Sequence, residues 1–217
     1  MINKKIKLLI IINDFYVGGA QRLIAEQIKF FPKNSFHLSL VTLIDDPKRA
    51  NLYDLLPYDL PVTKINMKHF YNIFDFLRLI RVINKIKPDV VISHLFLSNM
   101  LTRIIKPLFR YRVFAVEHNT YINKKKWEIF VDKMLALISE KIIAVSKEVA
   151  DFIIVQQKLK SDQVVIIPNG ISLQPINEYL KNHTKIQLRS KFKVDKTTTV
   201  FLSVGRLTSQ KNQKLKE

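Results

Sequence analysis

The sequence predicts a doubly wound α/β domain with a parallel sheet, and three observations carry that prediction. Short apolar runs alternate with longer segments of helical period along the first three-quarters of the chain. The short runs are nearly continuous in Ile, Val and Leu, as expected for strands covered on both faces. The rarest residues fall just after strands, at the edge where open α/β sheets bind ligands.

The elements follow in order. Strands are expected at 6–12, 38–43, 61–65, 90–92, 113–116, 142–145 and 164–167. Helices are expected at 20–31, 70–86, 96–106, 127–139 and 147–157. Within 70–86, Asp75, Arg78, Arg81 and Lys85 form one wet stripe on an otherwise apolar cylinder. Pro168-Asn169-Gly170 reads as a turn, and 172–184 is polar and non-periodic, like a linker. A helical stretch at 185–192 then leads to a new strand at 199–204. One strand and one helix cannot bury a core. The expected organisation is therefore a domain over 1–167, a linker over 168–198, and the opening of a second Rossmann-like domain over 199–217.

Composition excludes several classes. With 47% hydrophobic and 25% charged residues the chain is globular rather than disordered. No apolar run approaches the ~18 residues of a spanning helix. The first residues, MINKKIKLLIII, imitate a secretory leader, but Asn13-Asp14 stands where small cleavage-site residues belong. Zero cysteines removes disulfides, thiolate metal sites and cysteine nucleophiles together, and a cytoplasmic protein is the default. The 36 basic against 18 acidic residues leave a net charge of +18, which favours phosphate-rich partners: nucleic acid, nucleotides or an anionic membrane surface. An A/T-rich genome, enriching Ile, Lys and Asn, is an equally good source of that excess.

Four glycines stand where an average chain of this length carries roughly fifteen. Gly18 and Gly19 follow the first strand, Gly170 the last strand of the domain, and Gly205 the strand that opens the next. Such sparing use suggests positions where the backbone demands glycine. Two histidines repeat the placement, His94 ending one strand and His118 ending the next. His37, His69 and His183 have no such placement, and no spacing matches a metal-binding pair. Walker and dinucleotide fingerprints are absent from the sequence. Gly18-Gly19-Ala20-Gln21-Arg22 does stand at a strand-to-helix junction, where free N–H groups and the helix dipole suit an anion. Gly205-Arg206, with Lys211 opening the next helix, could clamp a diphosphate.

Taken in order, FYVGGAQR (15–22), KPDVVISH (87–94), EHN (117–119), IIAVSKEVADFI (142–153), VVIIPNGIS (164–172) and FLSVGRLTSQKN (201–212) resemble glycosyltransferase family 4, retaining enzymes of the two-domain GT-B fold. The resemblance covers essentially the whole chain. It implies transfer of a sugar from a nucleotide-sugar donor with retention at the anomeric carbon, without a metal or other cofactor. It places Gly18 and Gly19, with Gln21 and Arg22, against the donor phosphate and the acceptor side of the cleft. It makes His118 the catalytic histidine beside the donor sugar, and Arg206, Lys211 and Gly205 the holders of the departing diphosphate. His94, Asn119, Ser146, Asn169 and Gly170 line the same edge. The family's E-x7-E segment lies further into the second domain than residue 217, so the resemblance implies a partial chain, inactive alone.

The acceptor is expected to be a saccharide, lipid-linked, in cell-envelope polysaccharide, lipopolysaccharide or glycan assembly. Lys124, Lys125 and Lys126 with Trp127, together with Arg103 and Lys106, suggest contact with an anionic membrane on its inner face. Nucleic acid is not an expected partner: the aromatic residues fall at core positions and no reading motif is present. A basic nucleic-acid-binding protein, another GT-B member such as an epimerase, an inactive remnant, and half of a two-chain transferase stand as the alternatives.

Overall fold

The computed structural model describes residues 4–69, 72–195 and 197–202. The chain falls into two compact units, residues 1–171 and 172–217.

The first unit is built on a seven-stranded sheet whose neighbouring strands all pair in parallel. Its strands are β1 (Ile6–Ile12), β2 (Phe36–Thr42), β3 (Val62–Lys64), β4 (Val90–His94), β5 (Arg112–Glu117), β6 (Lys141–Ala144) and β7 (Val164–Ile166). They lie in the order β3-β2-β1-β4-β5-β6-β7. The chain therefore leaves β1 toward one side of the sheet and later continues from β4 toward the other. The crevice beyond the carboxyl ends of β1 and β4 is the topological switch point.

Continuous apolar strands bury both faces. Along β1, Ile10 and Ile12 pack with Ile24, Ala25 and Ile28 of α1 (Gly19–Phe30). Leu9 and Ile11 point the other way, to Leu79 and Ile83 of α2 (Ile73–Ile86) and to Met100, Leu101 and Ile105 of α3 (Phe96–Ile105). A third cluster joins Ala136 of α4 (Lys126–Ala136) to Val149, Ala150 and Ile153 of α5 (Lys147–Gln157) and to β6. These alternating contacts are the physical content of the doubly wound prediction.

Helix limits follow local capping more closely than hydrophobic period. α2 begins at Ile73 because the Asn72 side chain accepts the Phe74 N–H at 2.9 Å; residues 70 and 71 of the expected helix lie outside the described residues. α4 begins at Lys126, where the Glu128 carboxylate accepts the Lys125 N–H at 2.7 Å. Lys87 and Lys158 end α2 and α5 in the left-handed conformation. The described glycines adopt no positive φ, so the expectation that torsional demand places them is corrected.

In the second unit, 172–184 is not a non-periodic linker. It holds α6 (Gln174–Asn182), with Pro175 in the first turn and Ile176, Tyr179 and Leu180 at helical spacing. α7 (Lys185–Lys191) follows, opened by Thr184, whose hydroxyl accepts the Gln187 N–H. Residues 199–202 carry no strand, against expectation; 203 and 204 lie outside the described residues.

Candidate functional site

The switch-point crevice is furnished from both sides. On the β1 side, the chain turns through 13–18 under two side-chain anchors. Asn13 Oδ1 accepts the Ser98 N–H at 2.8 Å and the Ser98 hydroxyl at 2.9 Å, tying this loop to the first turn of α3. Asp14 accepts the Tyr16 N–H at 3.2 Å and the Gln21 amide at 3.0 Å. Phe15 and Tyr16 are buried, and Arg49 lies over the Tyr16 ring at 4.0 Å. The loop is thus a packed structure rather than a flexible flap.

That arrangement explains Gly18. Its backbone is extended, but a Cβ there would sit 2.4 Å from Gln21 Oε1, the oxygen of the side-chain amide whose Nε2 donates to Asp14. Gly19, the first residue of α1, has open space where a side chain would go. Arg22 is exposed in the same first turn. Gln21 is buried and braces the loop, which accounts for it without a ligand.

On the β4 side, register sets His94 opposite Ile12 of β1 and Val116 of β5. His118 follows β5 directly. The two rings stack with centroids 5.1 Å apart, and His94 Nδ1 lies 2.9 Å from His118 Nε2. The two expected histidines therefore form one hydrogen-bonded unit. His94 is buried, and desolvation together with its neighbour holds its pKa well below the ordinary value. Burial brings His118 down to about 4. Both rings are neutral at pH 7, and one proton lies between them, so the tautomer of each fixes that of the other.

Leu95, next in sequence, has φ 70 and ψ 157, a region that is essentially glycine-only. Its side chain packs against the cluster on the α1 face, which offsets the torsional cost. Nothing in the sequence signals this strain, since leucine is among the residues least expected there.

The remaining expected residues divide. Asn119 is exposed beside His118, and Asn169 and Gly170 are exposed beyond β7. Ser146 caps α5, its hydroxyl accepting the Val149 N–H at 3.3 Å. Gly205, Arg206 and Lys211 lie outside the described residues.

The expected membrane contacts need correction. Arg103 is 1% exposed and donates to Asp132 at 2.5 Å and to the Asn99 carbonyl at 2.7 Å. Lys124, with a side chain 5% exposed, is ion-paired with Asp132 and lies 3.8 Å from Glu117. Neither can meet a bilayer. Lys106 is half-buried, whereas Lys125, Lys126 and Trp127 are exposed. The buried pairing of Asp132 and Glu117 escaped sequence reasoning: Asp132 reads as one more polar residue within a helix, and Glu117 as the polar end of a strand.

Comparison with known proteins extends this geometry. A family model described as Glycosyltransferase Family 4 matches residues 17–175. An uncharacterized glycosyltransferase of Methanocaldococcus jannaschii, MJ1059, is 27% identical over 154 residues, covering 63% of this chain and 36% of that protein. Anabaena Alr3699/HepE, solved in complex with UDP and glucose, aligns with a TM-score of 0.67 at 16% identity, over 87% of this chain and 50% of its own. A glycosyltransferase from Rickettsia africae aligns with a TM-score of 0.67 at 20% identity, over 89% of this chain and 51% of its own. The chain thus spans 36% of the length of the archaeal relative and about half that of these solved structures. The matched span runs from the glycine loop through the histidine pair to the start of α6, and by that match the chain belongs to glycosyltransferase family 4.

Proposed function

We propose that this chain supplies the acceptor-side half of a retaining glycosyltransferase, which moves a sugar from a nucleoside-diphosphate donor to a hydroxyl of a lipid-linked saccharide. The observation that carries this reading is the buried, stacked His94–His118 pair at the switch-point crevice. In a front-face displacement the bond from the anomeric carbon to the diphosphate breaks as the acceptor oxygen bonds on the same face. The acceptor proton passes to the departing phosphate oxygen. Positive charge develops on the sugar, so an imidazolium beside it would oppose the reaction. A neutral imidazole can hydrogen-bond a sugar hydroxyl without that repulsion, and His118 is kept neutral by burial. Alr3699/HepE has been solved with UDP and with UDP-glucose, which supports a nucleotide-sugar donor here. Arg206 and Lys211 are the proposed counter-charges to the leaving diphosphate. The test is turnover of a nucleotide-sugar panel by the product of the complete reading frame. His118→Ala and Arg206→Ala should each reduce kcat by orders of magnitude; wild-type turnover in either rejects the corresponding role.

We place membrane contact on the outer face of α4. Trp127, Phe130, Met134 and Leu137 recur at helical spacing and are 46%, 62%, 49% and 71% exposed. Exposed Lys125, Lys126 and Lys133 flank them, while Asp132 of the same helix is turned inward. An apolar stripe with cationic borders fits an anionic bilayer surface. Among the described residues no helix is long and apolar enough to cross a membrane, so the proposed attachment is peripheral, at the inner face. Co-sedimentation with phosphatidylglycerol vesicles should fall at least tenfold in Phe130→Ser/Leu137→Ser. Equal binding to phosphatidylcholine vesicles rejects the assignment.

A further inference from the structure

A ring of buried polar contacts closes on Val116 and Glu117, the residues just before His118, and has no part in the chemistry above. It starts at the last residues of β5. The Val116 carbonyl accepts the Asn99 amide at 3.2 Å, and the Asn99 carbonyl accepts Arg103 Nε at 2.7 Å. Arg103 donates to Asp132 at 2.5 Å, and Asp132 is ion-paired with Lys124. Lys124 Nζ returns to Glu117 at 3.8 Å, one residue from the starting point. All four ionisable side chains are 5% exposed or less.

Lys124 is the unusual member. It stands in a run of three lysines, and its two neighbours are exposed. Its ammonium instead turns inward over the rings of Phe96 and Tyr121, at 5.3 and 5.6 Å. A buried ion network of this kind is seldom more stabilising than an apolar filling of the same volume. What it supplies is direction: each contact is satisfied in one arrangement only. Glu117 and Lys124 bracket residues 118–123, the loop that begins with His118. Besides the Lys124 contact with the Tyr121 ring, Gln156 ties the middle of that loop, donating to the Tyr121 carbonyl at 2.9 Å.

We infer that Lys124 is a positioning residue for His118: through Glu117 and Asp132 it latches the two ends of the 118–123 loop, and so holds the His118 ring on His94. The inference rests on the reading of His118 as the sugar-facing group, but its test does not require a substrate. Long-range proton–nitrogen NMR of the histidine rings reports tautomer and pKa directly, and the chain has five histidines to assign. In the wild type, His118 should titrate near 4. In Lys124→Met its pKa should rise toward the ordinary value of about 6.5, with loss of the shared-proton signature on His94. Lys124→Arg, which keeps the charge, should restore both. If Lys124→Met does not fold, Glu117→Gln/Lys124→Met removes both charges of the contact and is read in the same way. An unmoved His118 resonance in a folded variant overturns the latch and leaves the network a stabiliser only. In the complete protein the latch predicts a lower kcat at unchanged donor KM. A displaced His118 with unchanged turnover would still support the latch, and would reject the catalytic role of His118 instead.

Discussion

Acid should destabilise this fold through its histidine pair by an amount that can be calculated. His118 titrates at about 4 in the folded state because burial penalises the imidazolium, and at about 6.5 once unfolded. As pH falls through 6.5 the unfolded chain takes up a proton that the folded chain refuses. The stabilising contribution is complete above that pH, declines between 6.5 and 4, and is exhausted below. At 1.36 kcal/mol per pH unit the loss from this one group is about 2.5 kcal/mol by pH 4.5. His94, whose pKa is also lowered by burial and by its neighbour, shifts the balance in the same direction. The assay is urea denaturation of the wild type and His118→Gln at pH 7.5, 6.0, 5.0 and 4.5. The stability difference between the two should change by about 2 kcal/mol across that range. Parallel profiles, within about 0.5 kcal/mol at every pH, would refute the reasoning, since the imidazole would then titrate alike in both states.

Three further outcomes follow from local geometry. Gly18→Ala should cost about 1–2 kcal/mol by forcing Gln21 off Asp14, and much of that cost should vanish when Gln21→Ala is added; additive losses in a double-mutant cycle would show that the two do not compete for space. Leu95→Gly should be more stable than Leu95→Ala by about 1–2 kcal/mol, because both lose the packing and only glycine relieves the torsion; thermal unfolding of the pair decides, and a more stable alanine variant refutes the strain. Asp132→Ala should cost about 3–5 kcal/mol by stranding two buried cations, whereas Glu140→Ala, which breaks the exposed pair with Arg112, should cost far less; comparable losses in denaturant unfolding would contradict the burial argument.

The sheet was legible because parallel strands covered on both faces must be apolar at every position, and such runs stand out against amphipathic helices. The histidine pair was legible by placement alone, since each residue ended a recognisable strand. Depth was harder to read in loops. Lys124, Lys125 and Lys126 are chemically identical in sequence, and with no helical or strand period to orient them nothing marks the one that turns inward. Arg103 lay in a helix whose period was recognised, but a guanidinium on the inner face contradicts the pattern unless Asp132, on another helix, is known to meet it. The glycines misled in a different way. Gly18 and Gly170 do stand beyond the carboxyl ends of strands, yet Gly18 is present for room beside Gln21, not for torsion. The helix α6 was missed because its nine residues are polar on average and none is buried, so the helical spacing of Ile176, Tyr179 and Leu180 was passed over.

The latch has a consequence for how this surface can diversify. Because the 118–123 loop is fastened at its two ends and at Tyr121, its exposed positions can be exchanged. Asn119 and Ile122 are exposed, and changes there leave the fastening contacts intact. The surface at Asn119 and Ile122 is therefore open to change while His118 stays registered on His94. The same bracket sets the limit of that freedom: a change of loop length must still bring residue 124 back to Glu117 and Asp132.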